Sequence, residues 1–186
     1  MTDQPPPQCV IPLHKPSKKE FAFFFISGIL VSVPMALLFS NVYPYVPIIV
    51  STALLAPFIE EMAKVFPLFY RHGETERSLV SLGVLTGLGF GISEFFIYVV
   101  VLHVPPIARV PGVIFHGSSA SITAYGIAKK NPWPFYLISV ALHAANNFFA
   151  VTNISSGIFV ELLVVIVAYL LAWRFYHQAS PEKIVV

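Results

Sequence analysis

Long apolar runs, each about the length of one membrane crossing, recur along the chain after its first twenty residues. A helix needs roughly 20 mainly apolar residues to cross the hydrocarbon core of a bilayer. The sequence therefore predicts a polytopic membrane protein with about six transmembrane helices. The six runs lie near residues 21–39, 47–70, 78–102, 111–128, 133–151 and 157–176.

The composition agrees with a membrane protein and favours helices over a barrel. Hydrophobic residues make up 56% of the chain and charged residues only 11%, whereas soluble domains carry about 25% charged residues. The strands of a membrane β-barrel alternate between apolar and polar positions. These runs are apolar on every side, so the predicted fold is an all-α bundle. The small net charge of +2, without basic blocks, gives no indication of nucleic-acid binding.

The positive charges predict the orientation of the bundle. Between the predicted helices, Arg109 is alone on one side, while the other side carries nine Lys and Arg residues. Cytoplasmic loops are enriched in Lys and Arg, so both termini are predicted to be cytoplasmic, in the plasma membrane. The predicted organisation is a tail over 1–19, one six-helix domain over 20–177 and a second tail over 178–186. The nine residues are Lys15, Lys18, Lys19, Arg71, Arg77, Lys129, Lys130, Arg174 and Lys183.

Four of the predicted helices carry charged or strongly polar residues inside their apolar runs; Glu161, near the outer end of the sixth run, is given no role. A charged residue within a span costs about 2.5–3.5 kcal/mol on insertion scales and is a functional candidate by default. At a rise of about 1.5 Å per residue, the four helices are expected to bring these polar groups to the outer half of the bilayer, with the Glu pair somewhat deeper, where they would line one polar cavity. They are Glu60, Glu61 and Lys64 in the second helix, Glu94 in the third, His116 in the fourth, and His143 and Asn147 in the fifth.

Spacing within the helices predicts how some of these residues interact. Lys64 follows the two adjacent carboxylates by four and three residues, so either one can reach its ammonium group. The ammonium would neutralise one carboxylate and leave the other to react. In the third helix, glycine recurs every four residues up to Gly91, which predicts close packing against another helix. Glu94 follows on that same packed face.

The available reactive groups restrict the chemistry to carboxylate and imidazole. The sequence has no HExxH motif, and Asp3 is its only aspartate, which excludes a protease with two catalytic aspartates. Two hydrolytic routes stay open, with no cofactor or with Zn²⁺. A Glu can activate water while His and Asn stabilise the oxyanion. Alternatively, a Zn²⁺ ion can be bound, with a further Glu as base; the candidate ligands are Glu61, Glu94, His116 and His143.

The order of these motifs resembles that of the PrsW family of intramembrane proteases. The segment EEMAK at residues 60–64 resembles the family motif EExxK, and SEFFIY contains a Glu followed four residues later by Tyr. His116 and the segment HAANN resemble the two later His motifs. The HxxxN spacing of His143 and Asn147 is also similar to the last motif of the related CAAX prenyl endopeptidases.

The resemblance implies an integral-membrane endopeptidase, of glutamate or metallo type, that cuts a membrane-anchored protein on the outer side. In the PrsW family such a cut starts the regulated proteolysis of an anti-sigma factor. One of Glu60 and Glu61 is predicted to be the base, oriented with Glu94, and the other is held by Lys64. The remaining predicted roles are binding of the carbonyl oxygen or of a metal by His116, His143 and Asn147.

Two other functions remain alternatives at this point. Intramembrane Glu and His residues also form proton relays, which would suit a small proton-coupled transporter. Transporters commonly contain inverted repeats with paired broken helices, and no repeat is visible in this sequence. The second alternative is a membrane interaction protein without catalytic activity.

Overall fold

The computed structural model describes residues 13–42, 45–70, 74–152 and 157–185, and these form six long helices that match the six apolar runs. The all-α class is confirmed. The first twelve residues of the predicted N-terminal tail, and Arg71, lie outside the described residues. The helices are α1 (Lys18–Val42), α2 (residues 48–70), α3 (Glu76–Phe96, continued by a π-helical turn over Ile97–Val101), α4 (Pro106–Ala128), α5 (Pro132–Thr152) and α6 (Gly157–Gln178).

Helix α2 changes its hydrogen-bonding pattern along its length. It begins as α-helix at Ile48–Val50, continues as a π-helical turn over Ser51–Leu55, returns to α-helix at Ala56–Val65, and ends as a 3₁₀ helix over Phe66–Tyr70. Proline has no N–H to donate to the carbonyl four residues before it. Prolines at positions 57 and 67 lie next to the last two of these three changes. The π-helical turn leaves backbone carbonyls available to a neighbouring helix.

Three helices of the described part are long and apolar enough to cross a membrane on their own, at Glu76–Val101, Pro132–Thr152 and Gly157–Gln178. Large apolar side chains cover the outside of the bundle; Ile107 is 81% and Phe159 is 74% exposed. Apolar patches of this kind mark surfaces that contact membrane or protein, and here the surrounding lipid would cover them. The structure is therefore that of an integral membrane protein.

Helix α3 lies at the centre of the bundle, between α1 and α4. The predicted glycine interface of α3 faces α4: a Cβ atom added at Gly83 would lie 2.4 Å from the Cβ of Ala124, and one at Gly87 would lie 2.2 Å from the carbonyl oxygen of His116. On the α1 side, a Cβ added at Gly28 would lie 2.0 Å from the carbonyl oxygen of Thr86. These distances leave no room for a side chain, so glycine sets the separation of the three helices.

The start of α4 differs from the sequence prediction. The predicted run began at residue 111, but the helix begins one turn and a half earlier at Pro106. Proline is well tolerated in the first turn of a helix, and Pro105 and Pro106 provide the earlier start. His116 therefore lies ten residues from this helix end, about 15 Å at the usual rise, and is deeper than the sequence alone indicated.

The C-terminal segment packs against the end of the bundle that also holds the start of α1. Glu76, at the start of α3, is fully buried. Its carboxylate accepts hydrogen bonds from the Nζ atom of Lys129 and from the backbone N–H of Ser180, and it forms an ion pair with Lys183. The cluster of candidate site residues lies nearer the opposite end.

Candidate active site

Polar side chains from α2, α3, α4 and α5 meet inside the bundle, as the sequence predicted. Five of the seven predicted site residues form one buried cluster, and none of these five is more than 7% exposed. Glu94 joins the cluster through a hydrogen bond to His116, whereas Asn147 contacts α2 at a different point. The five members of the cluster are Glu60, Glu61, Lys64, His116 and His143.

The carboxylate of Glu61 is held on three sides. The Lys64 ammonium donates to Oε1 of Glu61 at 2.6 Å, and neither side chain is exposed at all. The same oxygen accepts the Ser119 hydroxyl at 3.1 Å and lies 2.7 Å from Nδ1 of His143. Hydrogen bonds that involve a charged group are short and strong. Lys64 therefore pairs with Glu61 rather than with Glu60, and Glu61 fixes the orientation of His143.

His116 lies between a cation and an anion. Its Nδ1 atom is 2.8 Å from the Lys64 ammonium nitrogen, and its Nε2 atom is 2.6 Å from Oε2 of Glu94. Since the ammonium group can only donate, Nδ1 is the acceptor and Nε2 carries the proton that is donated to Glu94. Arg109 also contacts Glu94, at 3.2 Å, and its guanidinium lies 3.7 Å from the centre of the Tyr98 ring.

Glu60 has a different environment from its neighbour Glu61. Its Oε2 atom is buried and makes no hydrogen bond to any described residue. The nearest cationic or imidazole nitrogen is Nε2 of His143, at 3.7 Å, which is too long for a direct hydrogen bond. Phe115 lies against both imidazole rings. One carboxylate oxygen and one imidazole nitrogen therefore face each other inside the buried cluster without a hydrogen bond between them.

Asn147 lies on the same face of α5 as His143, as predicted, and its side chain has a structural contact. Its Nδ2 atom donates to the carbonyl oxygen of Thr52 at 3.0 Å. That carbonyl belongs to the π-helical turn of α2, and π-helical turns are frequent at functional sites. Asn147 thus ties α5 to α2 beside the cluster. A side-chain amide has two N–H hydrogens, so one remains for another acceptor.

A cavity of about 620 Å³ opens beside the cluster, between α4, α5 and α6. Its size is within the range of ligand-binding pockets. Seven polar residues line its wall, and five of them are described above. The other lining residues are mostly apolar. The polar residues are Glu94, Arg109, His116, His143, Asn146, Asn147 and Glu161.

Three buried groups could together hold a metal ion. Ligand atoms of Glu60, His116 and His143 all lie within 4.8 Å of one another. One carboxylate and two imidazoles are the protein ligands of several catalytic zinc sites, and the unpartnered Oε2 atom of Glu60 fits such a role. Glu61 and Glu94, which the sequence suggested as ligands, instead accept hydrogen bonds from the two His rings. Carboxylates in that position orient metal-binding imidazoles in many proteins.

Three residues of this region were not predicted from the sequence as part of the site. Arg109 was used only as the single cation on its side of the membrane, although a lone cation there could have indicated a functional role. Ser119 lies one helical turn after His116 and donates to Glu61. Tyr136, on α5, donates its hydroxyl to the carbonyl of Phe58 at 2.6 Å and so fixes the backbone just before the two carboxylates.

The buried carboxylates and imidazoles lie beside a cavity inside a helical membrane bundle. These are the groups that an intramembrane hydrolase needs. The chain belongs to a family with that activity: a family model described as PrsW family intramembrane metalloprotease matches residues 16–173. No curated protein and no solved structure matches the chain. The protein is therefore an intramembrane protease, and the transporter and non-catalytic alternatives are set aside.

Proposed function

We propose that this protease hydrolyses a peptide bond of a membrane-anchored protein with a water molecule activated between Glu60 and His143. One observation carries the proposal: Oε2 of Glu60 faces Nε2 of His143 across 3.7 Å, with no hydrogen bond to any described residue. The proton on His143 is assigned from its neighbours. Glu61, paired with the Lys64 ammonium, accepts from Nδ1 of His143, so Nε2 is left as an acceptor.

A donor placed between these two acceptors would satisfy both of them. A water molecule has two hydrogens and can donate one to each, which leaves an oxygen lone pair free to attack a carbonyl carbon. In the reaction, Glu60 takes a proton from this water as the oxygen adds to the peptide carbonyl. The same proton is then delivered to the leaving amine as the C–N bond breaks. One water is consumed, and a carboxylate and an amine are formed.

The developing negative charge on the carbonyl oxygen needs a donor nearby. Asn147 lines the cavity and keeps one N–H beyond the hydrogen bond to Thr52, so it is our candidate. Donors positioned in this way typically contribute 10²–10³ in rate. In this scheme Glu61, Lys64 and Ser119 position His143, while Glu94 and Arg109 position His116.

The alternative to this metal-free route is the metal ion that the family description implies, and the three donors grouped above fit one. Glu60, His116 and His143 would hold it. When bound, the ion would act as a Lewis acid on the scissile carbonyl.

We expect zinc affinity to fall by at least about tenfold in the variants Glu60→Gln and His143→Ala, because each loses one donor of the proposed set. Asn147→Ala is the matched control, since it changes a polar residue of the same cavity outside that set. Isothermal titration of the purified proteins with zinc measures the affinities. Equal zinc binding by all three variants would contradict this ligand set.

The substrate is proposed to be a membrane-anchored protein that is cut in regulated proteolysis, of the kind that releases an anti-sigma factor. The cavity supports this because it lies within the bundle, close to the helix ends opposite the two termini. A cytoplasmic location of both termini, in the plasma membrane, would place that end on the outer side of the cell.

This orientation predicts the labelling of single cysteines. In a Cys9→Ser background, cysteines at Ser17 and Asn131 should react only with reagent added from the cytoplasmic side. A cysteine at Tyr45, which is 87% exposed in the loop before α2, should react only from outside. The comparison of intact cells with inverted vesicles gives both readouts. Labelling of positions 45 and 131 from the same side would refute the proposed topology.

The proposed function is tested by reconstitution of the purified protein in liposomes with a panel of single-span membrane proteins. New termini, mapped by mass spectrometry, should fall near the outer membrane surface of at least one panel member. If no panel member were cleaved under conditions in which the protease is folded, the proposed substrate class would be wrong.

A further inference from the structure

Glu161 is a charged residue in an otherwise apolar stretch of α6, and it was given no role from the sequence. It lies five residues into the helix, is half-buried, and lines the same cavity as His116 and His143. It shares a helix face with Gly157: a Cβ atom built on that glycine would be 3.9 Å from Oε1 of Glu161. Gly157 packs on α5 near the carbonyl of Phe149, so Glu161 faces into the cavity rather than towards lipid.

The charges on the cavity wall do not balance. Arg109 is the one cation among its described lining residues, and its charge is matched by the ion pair with Glu94. Glu94 also accepts the N–H of His116. Glu161 makes no hydrogen bond or ion pair with any described residue. A carboxylate inside a membrane protein is costly unless it faces water or a partner. Arg109 acts on Glu161 only from beyond ion-pair distance, so no described residue of the cavity forms an ion pair with Glu161.

We propose that Glu161 forms a subsite for a cationic side chain, Lys or Arg, of the polypeptide that occupies the cavity. The inference rests on the proposed function, since it names a feature of that substrate. A carboxylate and an ammonium or guanidinium group form charge-assisted hydrogen bonds, which are stronger than neutral ones. In the partly dehydrated cavity, this subsite would select substrates with a basic residue close to the scissile bond.

Binding measurements test the subsite without cleavage. The protein carries Glu60→Gln to prevent turnover and is presented in nanodiscs. The probes are single-span peptides that differ only in one residue, Lys, Gln or Glu, placed in turn at each of six positions around the outer end of the span. At one position, the Lys peptide should bind about tenfold tighter than the Gln peptide.

Variants at position 161 should change that preference. With Glu161→Gln added, the Lys and Gln peptides should bind equally, and with Glu161→Lys the Glu peptide should bind best. Glu182→Gln is the matched control: it removes one carboxylate from the exposed C-terminal segment and should leave the preference unchanged. The subsite is refuted if no position favours Lys, or if the preference persists in Glu161→Gln.

The two proposals fail in different ways. Cleavage of a single-span protein without any preference for Lys would refute the subsite alone. A Lys preference that depends on Glu161, in a protein that cleaves no membrane protein, would support the subsite and refute the proposed hydrolysis.

Discussion

Replacement of Glu61 by Leu should lower the stability of the protein by about 3–5 kcal/mol, because an ammonium group is left in the interior without its partner. Lys64 is fully buried and contacts Glu61 at 2.6 Å. Activity should also be lost, since His143 loses the carboxylate that orients its ring. Thermal unfolding in detergent and cleavage of a reporter protein measure the two effects.

The double variant Glu61→Leu/Lys64→Leu separates these two effects. Replacement of both members of a buried ion pair by apolar residues is often neutral for stability, so most of the lost stability should return. Activity should not return, because the orientation of His143 still lacks its carboxylate. A double variant that cleaves at the wild-type rate would show that Glu61 has no role in positioning the imidazole.

The substitution Gly87→Val should have the second large effect, on both folding and activity. Even a Cβ atom at this position would lie 2.2 Å from the carbonyl oxygen of His116, so α4 must move away from α3. Overpacking of this kind typically costs about 1–3 kcal/mol or more. A displacement of about 1 Å at a catalytic group can reduce the rate by roughly 10². We therefore expect a lower melting temperature and a rate at least about a hundredfold below wild type.

Gly112→Ala provides the matched control for stability. Gly112 also lies in a helix, but the nearest atom to an added Cβ is in the Arg109 side chain at 3.7 Å, an ordinary contact. Alanine is a better helix former than glycine by about 1 kcal/mol, so the melting temperature should stay equal or rise. If Gly87→Val and Gly112→Ala melted at the same temperature, glycine would not set the distance between α3 and α4.

The fold was largely predictable because the apolar runs have the length of a bilayer crossing and are separated by short polar segments. The start of α4 was predicted less well, since Pro106 and Pro111 are both acceptable near a helix start. The convergence of polar groups from α2 to α5 followed from their depth and from the glycine face of α3. Depth and a glycine face are properties of a single helix, so they can be inferred directly from the sequence.

The individual contacts of the site depend on how the helices are arranged around one another. Spacing allowed Lys64 to reach either Glu60 or Glu61, and the choice of Glu61 comes from Ser119 on α4 and His143 on α5. The contact of Asn147 with Thr52 requires a carbonyl from a π-helical turn. That turn was not predicted from the sequence. Likewise, the position of Glu161 on the cavity wall depends on how α6 packs against α5.

The most direct test of the central claim is the single-turnover cleavage rate of Glu60→Gln, measured beside the wild type in the same liposomes. Oε2 of Glu60 makes no hydrogen bond within the described structure, so the amide should be accommodated without loss of stability. Removal of a positioned base should slow the reaction by about 10²–10⁴. We predict that loss together with an unchanged melting temperature. A near-wild-type rate in the folded variant would contradict the assignment of Glu60 as the residue that activates water.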